Sequence, residues 1–290
     1  MSVASISSAH IVGLQAEPIT VEVDISRGLY SFSIVGLPDK AIDESKDRVI
    51  AALRNTGVQN PKTENHKVTV SLTPADIKKE GSHFDVPIAL GYLLAAKVIT
   101  VPKDMGWFVG ELSLTGDILP MNGILSIAEA AKKKGVTSLY VPYPNREEAA
   151  LIEGVSVYGC KNLTELVLHL GGTIENNQEV ISLSPEQKTE FVYTKPETYL
   201  DFKDVKGQET PKRALEIAAA GGHNIALYGP PGTGKTMLAR AFTGILPKLN
   251  EEEALLVTRI HSVTRTKTSI ITHPPFRSPH HTSSYVSLVG

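Results

Sequence analysis

Eight consecutive residues, Gly229, Pro230, Pro231, Gly232, Thr233, Gly234, Lys235 and Thr236, hold the chain's most concentrated chemistry. Their spacing, Gly-x4-Gly-Lys-Thr, is that of a loop that wraps phosphate groups. The glycines permit backbone conformations that turn successive N–H groups inward, and no side chain obstructs an approaching anion. Lys235 brings a cation to the β- and γ-phosphates of a nucleotide, and the Thr236 hydroxyl can ligate Mg²⁺ through it. Such a loop needs a strand before it and a helix after it. Asn224–Gly229 reads as the strand. Thr236–Leu246 reads as the helix, with Met237 in its first turn, and its N-terminal dipole adds to the site.

Residues on either side extend the chemistry. A helix is expected from Glu209 to about Ala220, directly upstream of the strand. Downstream, Ala254–Gly290 contains no Asp or Glu, and holds Arg259, Arg265, Lys267 and Arg277 with His261, His273, His280 and His281. A local positive field beside a nucleotide site suits phosphate contact or nucleic acid; the alternative is a solvated loop whose acidic partners lie elsewhere. His280 and His281 make a poor metal pair. Neighbours on an extended chain point to opposite faces, and no Cys or carboxylate is close in sequence.

The elements that must carry these residues follow from periodicity. Ile19–Ile25, Tyr30–Leu37 and His66–Leu72 alternate apolar and polar residues as strands do. Asp39–Asn55 places Ile42, Val49, Ile50 and Leu53 at helical spacing, and Gly57 ends it. A second helix starts near Asp85, and its nearly continuous apolar content points to burial between layers. From Trp107 strand and helix alternate: a helix over Ile124–Lys134, the strand "SLYVP", a helix over Arg146–Ile152 capped by Asn145, the strand "VSVYGC" and the helix "LTELVLHL". This predicts an α/β domain over residues 1–170 with a mixed sheet. Residues 171–200 are polar, proline-bearing and aperiodic, which reads as a linker. A second α/β domain is expected over 201–290.

Bulk composition narrows the class. With 41% hydrophobic and 21% charged residues among 290 and a net charge of −2, the chain is globular and has no overall basic coat. Its single cysteine, Cys160, excludes an internal disulfide and fits a reducing compartment. The amino terminus lacks a basic segment followed by an apolar one, and no run approaches the roughly 18–20 apolar residues that span a bilayer. A cytoplasmic protein with no membrane partner is expected.

"GGHNIALYGPPGTGKTMLARA" followed by "FRSPHHTSSYVSLVG" resembles the magnesium-chelatase-type AAA+ ATPases. "VGLPDKAIDESKDRVIAALRNTG", "VTVSLTPADIKKEGSHFDVPIAL" and "GELSLTGDILPMNGIL" are similar to the amino-terminal domain of the YifB/ComM branch, which has the fold of the Lon proteolytic domain. The resemblance implies an α+β Lon-like domain followed by part of a P-loop AAA+ domain. It also implies ATP with Mg²⁺, Val205, Gly207 and Gln208 near the base, and Lys235 as the catalytic cation. Its further implications are assembly into a ring, a hexamer at full length, and DNA as partner, with a branch-migration motor of natural transformation as the activity. The acidic Walker B segment, sensors and arginine finger of such proteins are not located here, so the sequence reads as an amino-terminal portion.

Two other readings stay open: an ATP-binding, non-hydrolysing fragment with an interaction domain, and a metal-chelatase subunit. Proteolysis is not expected. Laid on the Lon pattern, the serine position falls on His83, with Ser82 one residue out of register, and the lysine position falls on Leu125, with Lys132–Lys134 about two turns further on. Leucine cannot accept a proton, so the dyad is missing. His83 and Asp85 can be read as a catalytic pair, but Asp85 stands where a helix N-cap would.

Overall fold

A strand with a period-two apolar pattern buries one face only if another layer covers it, and the first part of the chain is built on that requirement. A computed structural model describes residues 2–36, 39–57, 61–62, 64–102, 105–174, 181–193, 200–264, 270–280, 282–284 and 286. Contacts divide the chain into two units, Met1–Glu190 with Arg259–Ser269, and Phe191–Thr258 with Ile270–Gly290. The expectations placed on Leu37, Arg265, Lys267 and His281 lie outside the described residues.

In the first unit, β1 (Ser2–Val12) and β2 (Gln15–Arg27) form an antiparallel hairpin, from Ser2 opposite Ile25 to Val12 opposite Gln15. β3 (Ser31–Val35), α1 (Lys40–Asn55) and β4 (His66–Thr73) follow as a parallel crossover. Because β4 also pairs antiparallel with β2, the sheet order is β1-β2-β4-β3. α1 starts at its expected cap, where the Asp39 side chain accepts from the Ile42 amide at 2.8 Å. β1 is an element the periodicity did not reveal. Its buried positions include Ala4, Ser8 and His10 as well as Ile6, and small or polar residues carry no hydrophobic signal.

α2 (Asp85–Ala95) has every residue but Leu94 buried, as its apolar run implies. It lies so near β2 that a Cβ at Gly91 would stand 2.5 Å from Val23 Cγ2. Asp85 is not its N-cap. That place belongs to Phe84, and Asp85 sits in the first turn with no solvent exposure. Its carboxylate instead accepts from Arg48 Nε at 2.6 Å, Arg48 Nη2 at 3.1 Å and the Leu112 amide at 3.1 Å. A buried charge must be matched before a helix end needs capping, and α1 supplies the match. The bond to Asp85 raises the Arg48 pKa and holds the guanidinium charged.

The rest of the unit alternates strand and helix: β5 (Trp107–Phe108), β6 (Glu111–Leu112), β7 (Ile118–Leu119), α3 (Ile124–Lys133), β8 (Ser138–Pro142), α4 (Arg146–Ala149), β9 (Ser156–Cys160) and α5 (Leu163–His169). β5, β8 and β9 form a parallel sheet in that order, and β6 pairs antiparallel with β7. Asn145 stands at the N-cap of α4 as expected, but its side chain makes no capping bond, and the helix stops at Ala149 rather than Ile152. Its buried amide accepts from the Met121 N–H and donates to the Met121 carbonyl, both at 2.9 Å, so both ends are already satisfied.

Part of the expected linker belongs to this unit. The amide of Leu183 donates to His169 Nδ1 at 3.1 Å, that of Glu186 to the Val157 carbonyl at 2.7 Å and that of Thr189 to the Ala150 carbonyl at 3.2 Å. Ile181 and Leu183, two apart, place one apolar edge of the segment on the core.

The second unit opens with a 3₁₀ turn, Phe202–Asp204, capped by Asp201. α6 (Glu209–Gly221) and α7 (Lys235–Phe242) follow, α7 tightening into a 3₁₀ turn at Thr243–Ile245 instead of running to Leu246. α8 (Glu251–Ser262) then replaces the start of the expected basic loop. Asn250 and Glu253 exchange backbone–side-chain bonds of 2.9 Å at its start, a reciprocal cap. Val205, Leu215, Leu238 and Ala241 make the small core. Residues 224–229 are not a strand, and no described segment pairs with them; Ile225 is 38% exposed and Tyr228 fully so. A strand exists by its ladder, and without neighbours the period-two pattern has nothing to pair with.

Replacing Asp85 with Ala leaves the partly buried Arg48 unpaired and should destabilise the first unit by about 3–5 kcal/mol, the range for breaking a buried pair from one side. Urea denaturation followed by circular dichroism measures this, and a loss below about 1 kcal/mol, the level of an exposed pair, would remove the role given to Asp85.

Candidate functional site

The loop at 229–236 is shaped by two glycines in the left-handed region, Gly232 at φ 81° and Gly234 at φ 82°. Open space surrounds the position of a Cβ at both, so conformation rather than crowding requires glycine. Gly234 is the N-cap of α7, and Lys235 is its first residue. The loop curls around the Lys235 ammonium, which donates to the Gly229 carbonyl at 2.8 Å, the Pro230 carbonyl at 2.5 Å and Thr233 Oγ1 at 3.4 Å. Thr233 closes the curl by donating to the Pro230 carbonyl at 3.0 Å. Pro231 and Gly232 form the exposed tip, and Thr236 is exposed one residue into the helix. A concave backbone with a cation inside and a helix N-terminus behind it fits the phosphates of a nucleotide.

Gln208 joins the loop: its Nε2 donates to the Thr233 carbonyl at 3.5 Å, from a residue at φ 62° that leads into α6. Gly207 is also left-handed, at φ 63°. Val205 does not join it and is packed with Leu215 and Leu238; Met237, half-buried, packs on the same cluster. Beside the loop lies a cavity of about 620 Å³, with Lys235, Thr236, Asn224, His223, Phe276 and Arg277 on its wall. The basic stretch downstream therefore separates. Arg277 faces this cavity, His273 is buried beside Thr272, and Arg259 Nη1 donates to the Glu129 carboxylate in the first unit.

The first unit has a second concavity, about 370 Å³, with Ser82 and His83 at its wall. His83 and His10 both line it, 8% and 5% exposed, with ring nitrogens 3.4 Å apart and ring planes within 5°. Burial, and then the neighbouring His10, push the His83 imidazole down to about 3. The Ser82 hydroxyl donates to the Glu111 carboxylate. Leu125 is buried in the first turn of α3, while Lys132 and Lys133 occupy its last turn, about 10–12 Å along the axis at 1.5 Å per residue. Among the described residues no lysine lines this concavity.

These features define a protein of the magnesium-chelatase type: the profile "Subunit ChlI of Mg-chelatase" matches residues 21–145, and "Magnesium chelatase, subunit ChlI" matches 201–290. The chain is 39% identical over 294 residues to the competence protein ComM of Haemophilus influenzae, covering all of this chain and 56% of that protein. To the YifB protein of Escherichia coli it is 40% identical over 293 residues, covering all of this chain and 55% of that protein. The chain belongs to the YifB/ComM family. It spans about half the length of these curated relatives. The Lon protease of Brevibacillus choshinensis is 24% identical over 162 residues, 53% of this chain and 21% of that protein, in line with the mixed α/β fold.

The His10–His83 pair makes a pH prediction. The folded-state value of His83 lies below its ordinary 6.5, so the neutral ring contributes stability in full above pH 6.5 and loses it progressively as the pH falls towards 3. Thermal melts across that window should show the first unit weakening, and His83→Phe should flatten the dependence. An unchanged slope in that variant would mean other groups carry it.

Proposed function

We propose that the chain is the nucleotide-binding portion of an AAA+ ATPase that acts on DNA, with ATP and Mg²⁺ held at residues 229–236. The observation that carries this reading is the Lys235 ammonium, enclosed by its own loop at the start of α7. The backbone N–H groups of Gly232 to Lys235 would cradle the phosphates, Lys235 would neutralise their charge, and Thr236 would hold the metal. Gln208, bonded to the loop, orients Thr233 and stands on the side where a base can lie. Bound Mg²⁺–ATP supplies a phosphoanhydride activated by the metal; the chain's part is to hold and orient it.

The first unit is read as a binding or assembly module, since its serine and lysine positions carry His83 and Leu125. The name of the Haemophilus relative, a competence protein, supports a role in handling DNA during transformation, and AAA+ kinship supports a ring, a hexamer in the whole protein. No helix among the described residues is long and apolar enough to cross a membrane. A chain that binds ATP without turning it over is the second reading. ATPase assays on a protein of the relatives' length with DNA added decide between the two.

The direct test is titration of a fluorescent ATP analogue with Mg²⁺. Lys235→Ala should weaken binding by about 10- to 100-fold, the scale of bonds to a charged group, with the melting of the first unit unchanged. Thr236→Ala should remove most of the dependence on Mg²⁺. Equal affinity in wild type and Lys235→Ala would mean that the phosphate site lies elsewhere.

A further inference from the structure

The wall of the 620 Å³ cavity divides by chemistry. Leu215, Leu227, Phe242 and Leu246 are among its apolar lining residues, and Lys235, Thr236 and Arg277 among its polar ones. None of the described residues on this wall is a carboxylate, and the sequence from Ala254 to Gly290 has none either. Two side-chain cations and the amide end of α7 thus face one space with no acidic group among them, which is a field for an anion. Its position relative to the loop says which anion. A loop of this type sets its lysine against the β- and γ-phosphates and its threonine against the metal between them, so the Lys235–Thr236 side is the terminal-phosphate side. Arg277 lines the same cavity as Lys235 and Thr236. Gln208 touches the loop at Thr233 and is not on the cavity wall.

We propose that Arg277 contacts the terminal phosphate of a nucleoside triphosphate held at residues 229–236, and so lets the site tell triphosphate from diphosphate. The proposal rests on the phosphate-loop reading above. An exposed guanidinium presents a planar fork of donors that matches two phosphate oxygens at once, which an ammonium cannot do. The segment that carries it, 270–280, is anchored within the second unit: the Leu249 amide donates to the Thr272 carbonyl at 3.1 Å and the Ile271 amide to Thr258 Oγ1 at 2.9 Å. The arginine is therefore held on a fixed base five residues from Thr272.

The experiment is a titration of fluorescent ATP and ADP analogues, each with Mg²⁺, into the 290-residue chain and its Arg277→Ala, Arg277→Lys and Lys235→Ala variants. Arg277→Ala should weaken ATP binding by about tenfold and leave ADP within about twofold, because the missing bonds are to the terminal phosphate only. Arg277→Lys should fall between, and Lys235→Ala should weaken both nucleotides. Matching melting curves exclude a folding defect. Equal losses for ATP and ADP in Arg277→Ala, or no loss for either, would overturn the proposal while leaving the loop reading intact. A loss of DNA affinity with nucleotide binding unchanged would overturn it in favour of a nucleic-acid contact. Wild type and Lys235→Ala binding alike would overturn the loop reading and this proposal together.

Discussion

A carboxylate with no access to water cannot stay ionised unless the fold brings it a cation, and the first unit is arranged around that need at Asp85. The partners come from separate places in the chain: Arg48 from α1, and the Leu112 amide from β6. Arg48 also donates to the Ala41 carbonyl and Ser45, which fixes the guanidinium on its own helix before it reaches Asp85. The pair therefore sets the angle of α1 against α2 and draws in the β6–β7 hairpin. The loop just before α2 inherits that placement. Its Gly81 amide reaches the Asp39 carboxylate at 3.1 Å, and the Gly110 amide bonds the His83 carbonyl at 2.9 Å.

Where a peptidase would keep a hydroxyl and an amine, this unit has buried groups that do not exchange protons near neutral pH. His83 is held neutral by burial, Leu125 is apolar, and Ser82 is tied to Glu111. Similarity to Lon protease therefore informs architecture alone.

How much of this was legible beforehand depended on whether a signal was local. The loop at 229–236 was, because its glycines, lysine and threonine act through backbone shape and short-range contacts. So were β2, β4, α1 and α2, whose apolar periods are strong. β1 escaped because Ser8 and His10 are buried but polar and Ala4 is buried but small. The side chains of Asp85 and Asn145 were misread for one reason: an acidic or amide residue ahead of an apolar run has the look of a capping group, while its actual partner, Arg48 or Met121, lies far away in sequence. Residues 224–229 failed in the opposite sense. Their alternation is that of a strand, but pairing is a property of neighbours, and the described chain offers them none. The contact between Gln208 and Thr233 had no local signature either, since a positive φ at Gln208 cannot be read from its type.

The state of Lys235 bears on how such a loop can bind tightly without being costly to keep. Free in water, an ammonium in a glycine-rich curl would leave the loop without a fixed shape. Here the carbonyls of Gly229 and Pro230 hold it, so the cation orders the loop that surrounds it. On the proposed reading an incoming phosphate would displace those carbonyls, and the number of hydrogen bonds would change little in the exchange. What changes is their kind: neutral acceptors give way to anionic oxygens, which add a full charge–charge attraction to the cation. The released carbonyls sit in the exposed part of the loop, where water can take over. Affinity then comes from charge rather than from bond count, and the same rule governs any second cation on the cavity wall.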